Sequence, residues 1–172
     1  MKNEIELTPK YWASVSGGKD SLFMLQLILT HPDEFPLDGV VHFELEIDYP
    51  FITDVVQLMR NECTKRGIQF VAIKPRVSYW DCYNKWGLPT RKARWCNSNY
   101  KLDALHQLQD YLKQYGHYLV NYIGYCADET RRFKKRDHTI EIYPLVKYGI
   151  NENIILDWAR TQPIFNDYYI YI

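Results

Sequence analysis

The sequence has no C-x-x-C pair. Its four cysteines, Cys63, Cys82, Cys96 and Cys126, stand far apart, so neither a zinc knuckle nor a disulfide framework is indicated. Its five histidines are also dispersed, which argues against a metal held by protein ligands alone. There is no excess charge: 21 Lys and Arg balance 21 Asp and Glu. Long-range attraction to nucleic acid or to an anionic membrane is therefore not the default, and any basic site must be local. No apolar run is long enough to span a bilayer. The N-terminus, "MKNEIELTPK", lacks the apolar core of a secretory leader. Repeats, low-complexity tracts and linkers are missing too. The expectation is a reduced, cytoplasmic protein with one domain over residues 1–172.

What is present is a large apolar share, 47 %, enough for a sizeable core and too much for disorder. Tyrosine is frequent, at 15 residues, which fits either base stacking or ordinary half-buried packing. Hydrophobic periodicity predicts strands over 11–16, 38–46, 68–74, 117–125 and 138–146. It predicts helices over 19–31, 50–67, 99–116 and 152–160, with Pro50 opening one, Gly67 and Gly116 ending two, Asn97 or Ser98 capping the third and Asn151 or Asn153 the last. The stretch 75–97 has no clear period and reads as a long functional loop with room for a short helix. Strand–helix alternation of this kind predicts an α/β fold. It is Rossmann-like: a mostly parallel five-stranded sheet with helices on both faces and right-handed crossovers. Ligands of such sheets bind beyond the carboxyl ends of the strands.

The residues that carry chemistry fall there. Between the first strand and the first helix stands "SVSGGKDSLF". Glycines let backbone N–H groups approach an anion, and a helix start adds partial positive charge. Ser16 and Ser21 offer hydroxyls, and Lys19 offers a full charge. Ser16, Gly17, Gly18, Lys19, Asp20 and Ser21 are therefore candidate phosphate-binding residues. The plainer alternative is a glycine turn that happens to carry a lysine. The loop is not a Walker A loop, which needs G-x-x-x-x-G-K-[ST].

S-G-G-K-D-S resembles the PP-loop of the adenine nucleotide alpha-hydrolase superfamily. Further landmarks make the chain most similar to the phosphoadenosine phosphosulfate (PAPS) reductase family within it. "HFELEIDYPFITDVV" matches the family's second strand and its aromatic-Pro step, with Glu44-Leu45-Glu46 in place of an acid-Thr-Gly turn. The resemblance implies that Glu44 lies near the ribose; an exposed strand-end charge is the alternative. "RKARWCNSNYKLDAL" supplies the family's Arg-aromatic-Cys step as Arg94-Trp95-Cys96, and its helix lysine as Lys101. Arg94 and Lys101 would be cations closing over the anionic end of the ligand, with Arg91 and Lys92 extending the group. Trp95 reads as packing. Cys96 reads either as a thiol acidified by its basic neighbours or as a small buried filler.

"GYCADETRRFKKRD" matches Gly-x-Arg-x-acid-Glu-Ser at Gly124, Asp128, Glu129 and Thr130, with Arg131 or Arg132 as the following arginine. Cys126 stands where the family has arginine. "RRFKKR" also reads as a solvated basic loop or a small nucleic-acid patch. "YPLVKYGINENIILDWA" resembles the family's closing element, with Tyr148 where tryptophan is usual.

The resemblance implies an adenine nucleotide, ATP or PAPS, in the opening loop. The reaction transfers less well than the site. The family's reductive cysteine lies in a C-terminal tail, and no cysteine follows Cys126 here. The leading expectation is an enzyme that cleaves ATP between the α and β phosphates to adenylate an acceptor. Mg²⁺ would offset the triphosphate charge, and Lys19 with Arg94 would stabilise the leaving pyrophosphate. Two alternatives stand beside it. One is sulfonucleotide reduction by a thiol outside the tail, Cys96, Cys126 or a thiol donor. The other is a nucleotide-binding module or partner subunit without catalysis.

Overall fold

The computed structural model describes residues 7–90, 92–96, 101–129 and 140–165. In strand β1 (Thr8–Val15) the side chains alternate. Tyr11, Ala13 and Val15 enter one apolar cluster, and Trp12 enters a second. This two-residue period places the clusters on opposite faces of the sheet. Val40 and Val41 of β2 (Gly39–Phe43) divide in the same way, as do Phe70 and Val71 of β3 (Gln69–Ile73).

Helix α1 (Lys19–Thr30) brings Leu22, Met24, Leu25 and Ile28 to the first face. Helix α2 (Pro50–Lys65) adds Val55, Met59 and Cys63. The short α5 (Pro144–Lys147) and α6 (Glu152–Thr161) add Leu145, Ile155 and Ala159. Helix α4 (Leu102–Gln114) covers the second face with Leu105, Leu108 and Leu112. Helices therefore lie on both faces, as the periodicity predicts.

The sheet order is β3-β2-β1-β4-β5, with β4 (His117–Ile123) beside β1 and β5 (Ile140–Ile142) at the edge. All four pairings are parallel. The chain winds outward from β1 to β3, then returns to the other side of β1. The strand order thus reverses between β1 and β4, which is where open α/β sheets leave a crevice at their carboxyl edge. Across this pair the Ser14 hydroxyl donates to Asn121 Oδ1 (2.8 Å), so a buried polar side chain is satisfied just beneath the crevice.

The stretch 75–97 contains the short helix for which its sequence leaves room, α3 (Tyr79–Trp86), whose first turn is fixed by Ser78 accepting from Trp80 N. Two sequence expectations need correction. Residues 144–147 form α5, not the end of a strand, because Pro144 stands at its first turn and cannot donate to a ladder. Strand β2 stops at Phe43, so Glu44 lies beyond its end. The caps expected at Asn97 or Ser98 lie outside the described residues.

Candidate functional site

The loop 16–18 leaves β1 and enters α1 within three residues. Gly17 makes this possible. Its φ is +81°, and a Cβ built there would sit 2.7 Å from Ile52 Cγ2. Gly18 is different: at φ −83° and ψ 165° it is an extended N-cap without a side-chain cap. Its carbonyl accepts from Leu22 N (3.1 Å) and from the Ser21 hydroxyl (2.9 Å). Ser21 Oγ in turn accepts from Ser16 N (3.2 Å), and Gly18 N donates to Ser16 Oγ (3.3 Å). The two serines therefore brace the loop from within. The first-turn N–H groups of α1 have no intrahelical partner and carry the helix's partial positive charge. They form the donor set that an anion needs.

Lys19 opens the helix with its side chain 12 % exposed. Its ammonium lies 2.9 Å from Asp20 Oδ1 and 3.4 Å from Glu152 Oε1. Burial alone lowers the lysine, but the hydrogen bond and charge of Asp20, then Glu152, hold it above its ordinary value. The charge is thus complete at neutral pH. Glu152 is a residue that the sequence reading missed. The Asn151 cap of α6 places it, and Asp128 Oδ1 accepts from its N–H (3.3 Å). Its place in the first turn of a capped helix was legible in the sequence, but its contact with Lys19 was not.

The loop after β4 forms the other wall. A Cβ at Gly124 would meet the Asp20 carbonyl oxygen at 3.2 Å and Ser21 Cα at 3.3 Å. Gly124 therefore allows that loop to lie directly against the start of α1. Cys126 N donates to Glu129 Oε2 (3.4 Å), and the Cys126 thiol points at Asp20 Oδ1 (3.8 Å). Burial first, then the Asp20 and Glu129 charges, push that thiol up to about 12. The thiolate is the reactive form, so Cys126 is chemically quiet at neutral pH. Cys63, on α2, is likewise pushed up to about 11 by burial. Iodoacetamide at pH 8 is expected to leave both unmodified in the native chain and to label both after unfolding. Rapid native labelling of Cys126, mapped by peptide mass spectrometry, would contradict this.

The structure brings together Ser16, Gly17, Gly18, Lys19, Asp20, Ser21, Gly124 and Glu129. The other described candidates have partners of their own. Glu44 is exposed beyond β2 and pairs with Lys74 Nζ (3.2 Å), on the rim of a cavity of about 170 Å³. Glu46 is held by α3, accepting from Ser78 Oγ and Tyr79 N (3.0 Å each). Lys101 acts on Asp48. Burial raises the Asp48 carboxyl, while its bond from Leu45 N and the charges of His42 and Lys101 partly offset this. His42 is buried one strand from the loop and bonds through Nδ1 to the Val15 carbonyl (3.0 Å). Arg94 is exposed beside Trp95, which is buried and donates from Nε1 to the Gly87 carbonyl (3.0 Å). Cys96 is half-buried and packs with that group. Arg91, Arg131 and Arg132 lie outside the described residues.

A cavity of about 540 Å³ lies elsewhere, between α1, α2 and the turn at Pro163 and Ile164, with apolar walls that include Leu22, Leu25, Leu29 and Leu58 and a polar rim at Glu62 and Arg66. Among the described residues no three His, Cys, Asp or Glu side chains are grouped to hold a metal ion. No described helix is long and apolar enough to cross a membrane.

The family model described as phosphoadenosine phosphosulfate reductase domain matches residues 10–162. Two curated relatives, both named only as uncharacterized proteins of Methanocaldococcus jannaschii, align over most of the chain. One is 28 % identical over 153 residues, covering 87 % of this chain and 33 % of the relative. The other is 27 % identical over 171 residues, covering 94 % and 32 %. The chain thus spans about a third of the length of these relatives. Among solved structures, the U34-tRNA thiolase NcsA from Methanococcus maripaludis, with its 4Fe–4S cluster, overlays with a TM-score of 0.50. It shares 18 % identity, over 93 % of this chain and 58 % of that one. The PAPS reductase of Candida auris overlays at 0.46 with 14 % identity, over 87 % and 78 %. The likeness to the thiolase is one of fold.

Proposed function

Because the chain belongs to the phosphoadenosine phosphosulfate reductase domain family, we propose that residues 1–172 act as one adenine-nucleotide-binding domain. In this reading it cleaves ATP between the α and β phosphates and adenylates an acceptor. The observation that carries the reading is the 16–21 loop, braced by its own serines and set at the strand-order reversal between β1 and β4. Such a loop would cradle phosphate at the edge where such sheets bind ligands.

ATP would enter as its Mg²⁺ complex, so the ion belongs to the substrate. The first-turn N–H groups of α1 would hold the β and γ phosphates, and Lys19 would add a half-buried positive charge. A nucleophilic atom of the acceptor bonds to the α-phosphorus as the bond to the bridging oxygen breaks. The electron pair leaves with pyrophosphate, where Lys19, and Arg94 if its segment closes over the loop, would stabilise the developing charge. Glu44 would face the ribose, and Lys101, Gly124, Glu129, Arg131 and Arg132 would complete the wall.

Sulfonucleotide reduction is the second reading, and the family name favours it. It needs a thiolate to attack sulfur and a second thiol to release sulfite. Cys126, held near 12, does not supply that thiolate, which leaves Cys96 or an added thiol donor. Incubation with ATP or PAPS, followed by mass spectrometry of the products, separates the readings. The expected result is acceptor-dependent pyrophosphate from ATP and no sulfite from PAPS when thioredoxin is supplied. Sulfite formation that a Cys96→Ser change abolishes would replace adenylation with reduction. Nucleotide binding without turnover of either compound would leave a binding module.

A further inference from the structure

The segment that follows β3 has a composition found nowhere else in this chain. Between β3 and α4, over residues 74–101, the one acid is Asp81, while Lys74, Arg76, Lys85, Arg91, Lys92, Arg94 and Lys101 are all basic. Tyr83, Trp86, Trp95 and Tyr100 alternate with them. In a chain of zero net charge this is a local concentration of cations and rings.

The structure divides these aromatic groups by role. Tyr79 and Cys82, on the inner side of α3, pack with Trp95 and Leu45. The outer side presents Trp80, 56 % exposed, and Trp86, 43 % exposed, with half-buried Tyr83 between them. These three lie at i, i+3 and i+6, a stripe about 9 Å long on the helix. Trp80 meets Tyr83 edge-on (6.0 Å between centroids), and Trp86 leans on Trp95 (6.1 Å). The rings are thus held from behind while their outer surfaces face solvent. Lys85 Nζ lies 4.9 Å from the centre of the Trp86 ring. Leu88, 69 % exposed, extends the surface, and exposed Lys92 and Arg94 follow on the way to α4. Trp80 and Trp86 thus present apolar ring surface to solvent, with a cation beside it.

The placement matters as much as the chemistry. Glu46 caps α3 through Ser78 and Tyr79 N, and Leu45 packs under it. Both belong to the turn at the carboxyl end of β2, beside β1 and its 16–21 loop. The ring surface therefore stands at the same edge of the sheet as the phosphate cradle.

We propose that α3 and the residues after it, with Trp80, Tyr83 and Trp86 as stacking rings and Lys85, Lys92 and Arg94 as cations, bind single-stranded nucleic acid. The bound strand is the acceptor delivered to the nucleotide cleft. Bases stack on exposed aromatic faces without regard to sequence, and cations between the rings follow the phosphates. A duplex keeps its base faces covered and is excluded. The acceptor role rests on the adenylation reading; the binding surface does not.

The test uses fluorescence anisotropy of labelled oligouridylate and oligothymidylate, with duplex DNA and heparin as competitors. ATP affinity is measured separately by calorimetry. The expected result is saturable binding of single strands, quenching of tryptophan emission, and affinity that falls as salt rises. Trp80→Ala and Trp86→Ala should each weaken binding roughly tenfold and leave ATP affinity unchanged. Preference between the two oligonucleotides tells RNA from DNA. If heparin competes equally and the tryptophan variants bind normally, the surface is a plain basic patch and the proposal fails. It fails also if no oligonucleotide binds while the parent chain, but not the tryptophan variants, self-associates in sedimentation; the rings would then be a contact between copies. Oligonucleotide binding in a chain that does not bind ATP would sink the adenylation reading and keep the surface.

Discussion

Gly17→Val is expected to lower the stability of the folded chain by about 2–5 kcal/mol, from a strained backbone and an overfilled site. Both causes are visible. A β-branched residue at φ +81° sits in a region that L side chains avoid, and its Cβ would start 2.7 Å from Ile52 Cγ2 and 3.2 Å from Val56 Cγ2. The Ile52 carbonyl oxygen, 3.4 Å away, limits escape in the remaining direction. Urea unfolding should show a lower midpoint with an unchanged slope. Gly17→Ala combined with Ile52→Ala separates the causes. It opens the contact but keeps the dihedral penalty, so it should remain less stable than Ile52→Ala alone. Equal stability of those two variants would mean that the loop does not need its left-handed residue. By contrast, Gly18 has an ordinary φ, so Gly18→Ala should cost much less stability than Gly17→Ala.

The second large effect is on binding. Lys19→Ala should weaken ATP affinity by about 1.5–3 kcal/mol, the value of a charge-assisted hydrogen bond, or roughly 10- to 150-fold. Adenosine affinity should not change, because the lost charge faces the phosphates. Stability should change little. Asp20 and Glu152, left without the lysine, are 35 % and 56 % exposed, so water screens them. The pH dependence follows from the raised lysine. A folded value above the unfolded one gives stability that is full at neutral pH and is lost as pH rises through the folded value. ATP affinity should therefore be insensitive to Lys19 titration below the ordinary lysine range. Calorimetry of parent and variant with ATP and adenosine decides the matter. Equal losses for both ligands would mean that Lys19 supports the loop and does not contact phosphate.

The loop and the fold class were legible because local signals agreed there. Two glycines, a lysine and a long apolar helix follow a short strand, and few backbones accept that combination. The element order then fixed β1 in the centre of the sheet. Room for a short helix in 75–97 was legible, but not its bounds, because Trp80 and Trp86 face outward while Tyr79 and Cys82 face inward, which blurs the period. The adjacent Ser78 cap is a local signal; the Glu46 carboxylate that also holds its first turn comes from the turn after β2, which no short window includes. The end of β5 was misread because Tyr143 and Val146 have strand propensity, while Pro144 forces a turn. Within the site, the sequence pointed to both glycines alike; the backbone reserves the unusual dihedral for Gly17. It also gave no sign that Glu152, 133 positions away, reaches Lys19. Asp20 was legible as part of the loop but not as a carboxylate whose charge, after burial, adds to the upward push on the Cys126 thiol.

The central strand also sets an order of events during synthesis. Thr8 to Ser14 pair with His117 to Ile123, while the β1–β2 pairing needs only the residues to His42. A ribosome adding about 5–20 residues per second finishes β2 about 4–16 seconds before it finishes β4. During that interval β1 has one open edge, an unpaired ladder that can accept a stray strand. The nascent loop has its lysine and glycines but lacks the wall built on Gly124. Nucleotide present in the translation mixture therefore cannot protect the early chain from protease. Protection should begin only when the fourth strand has cleared the exit tunnel.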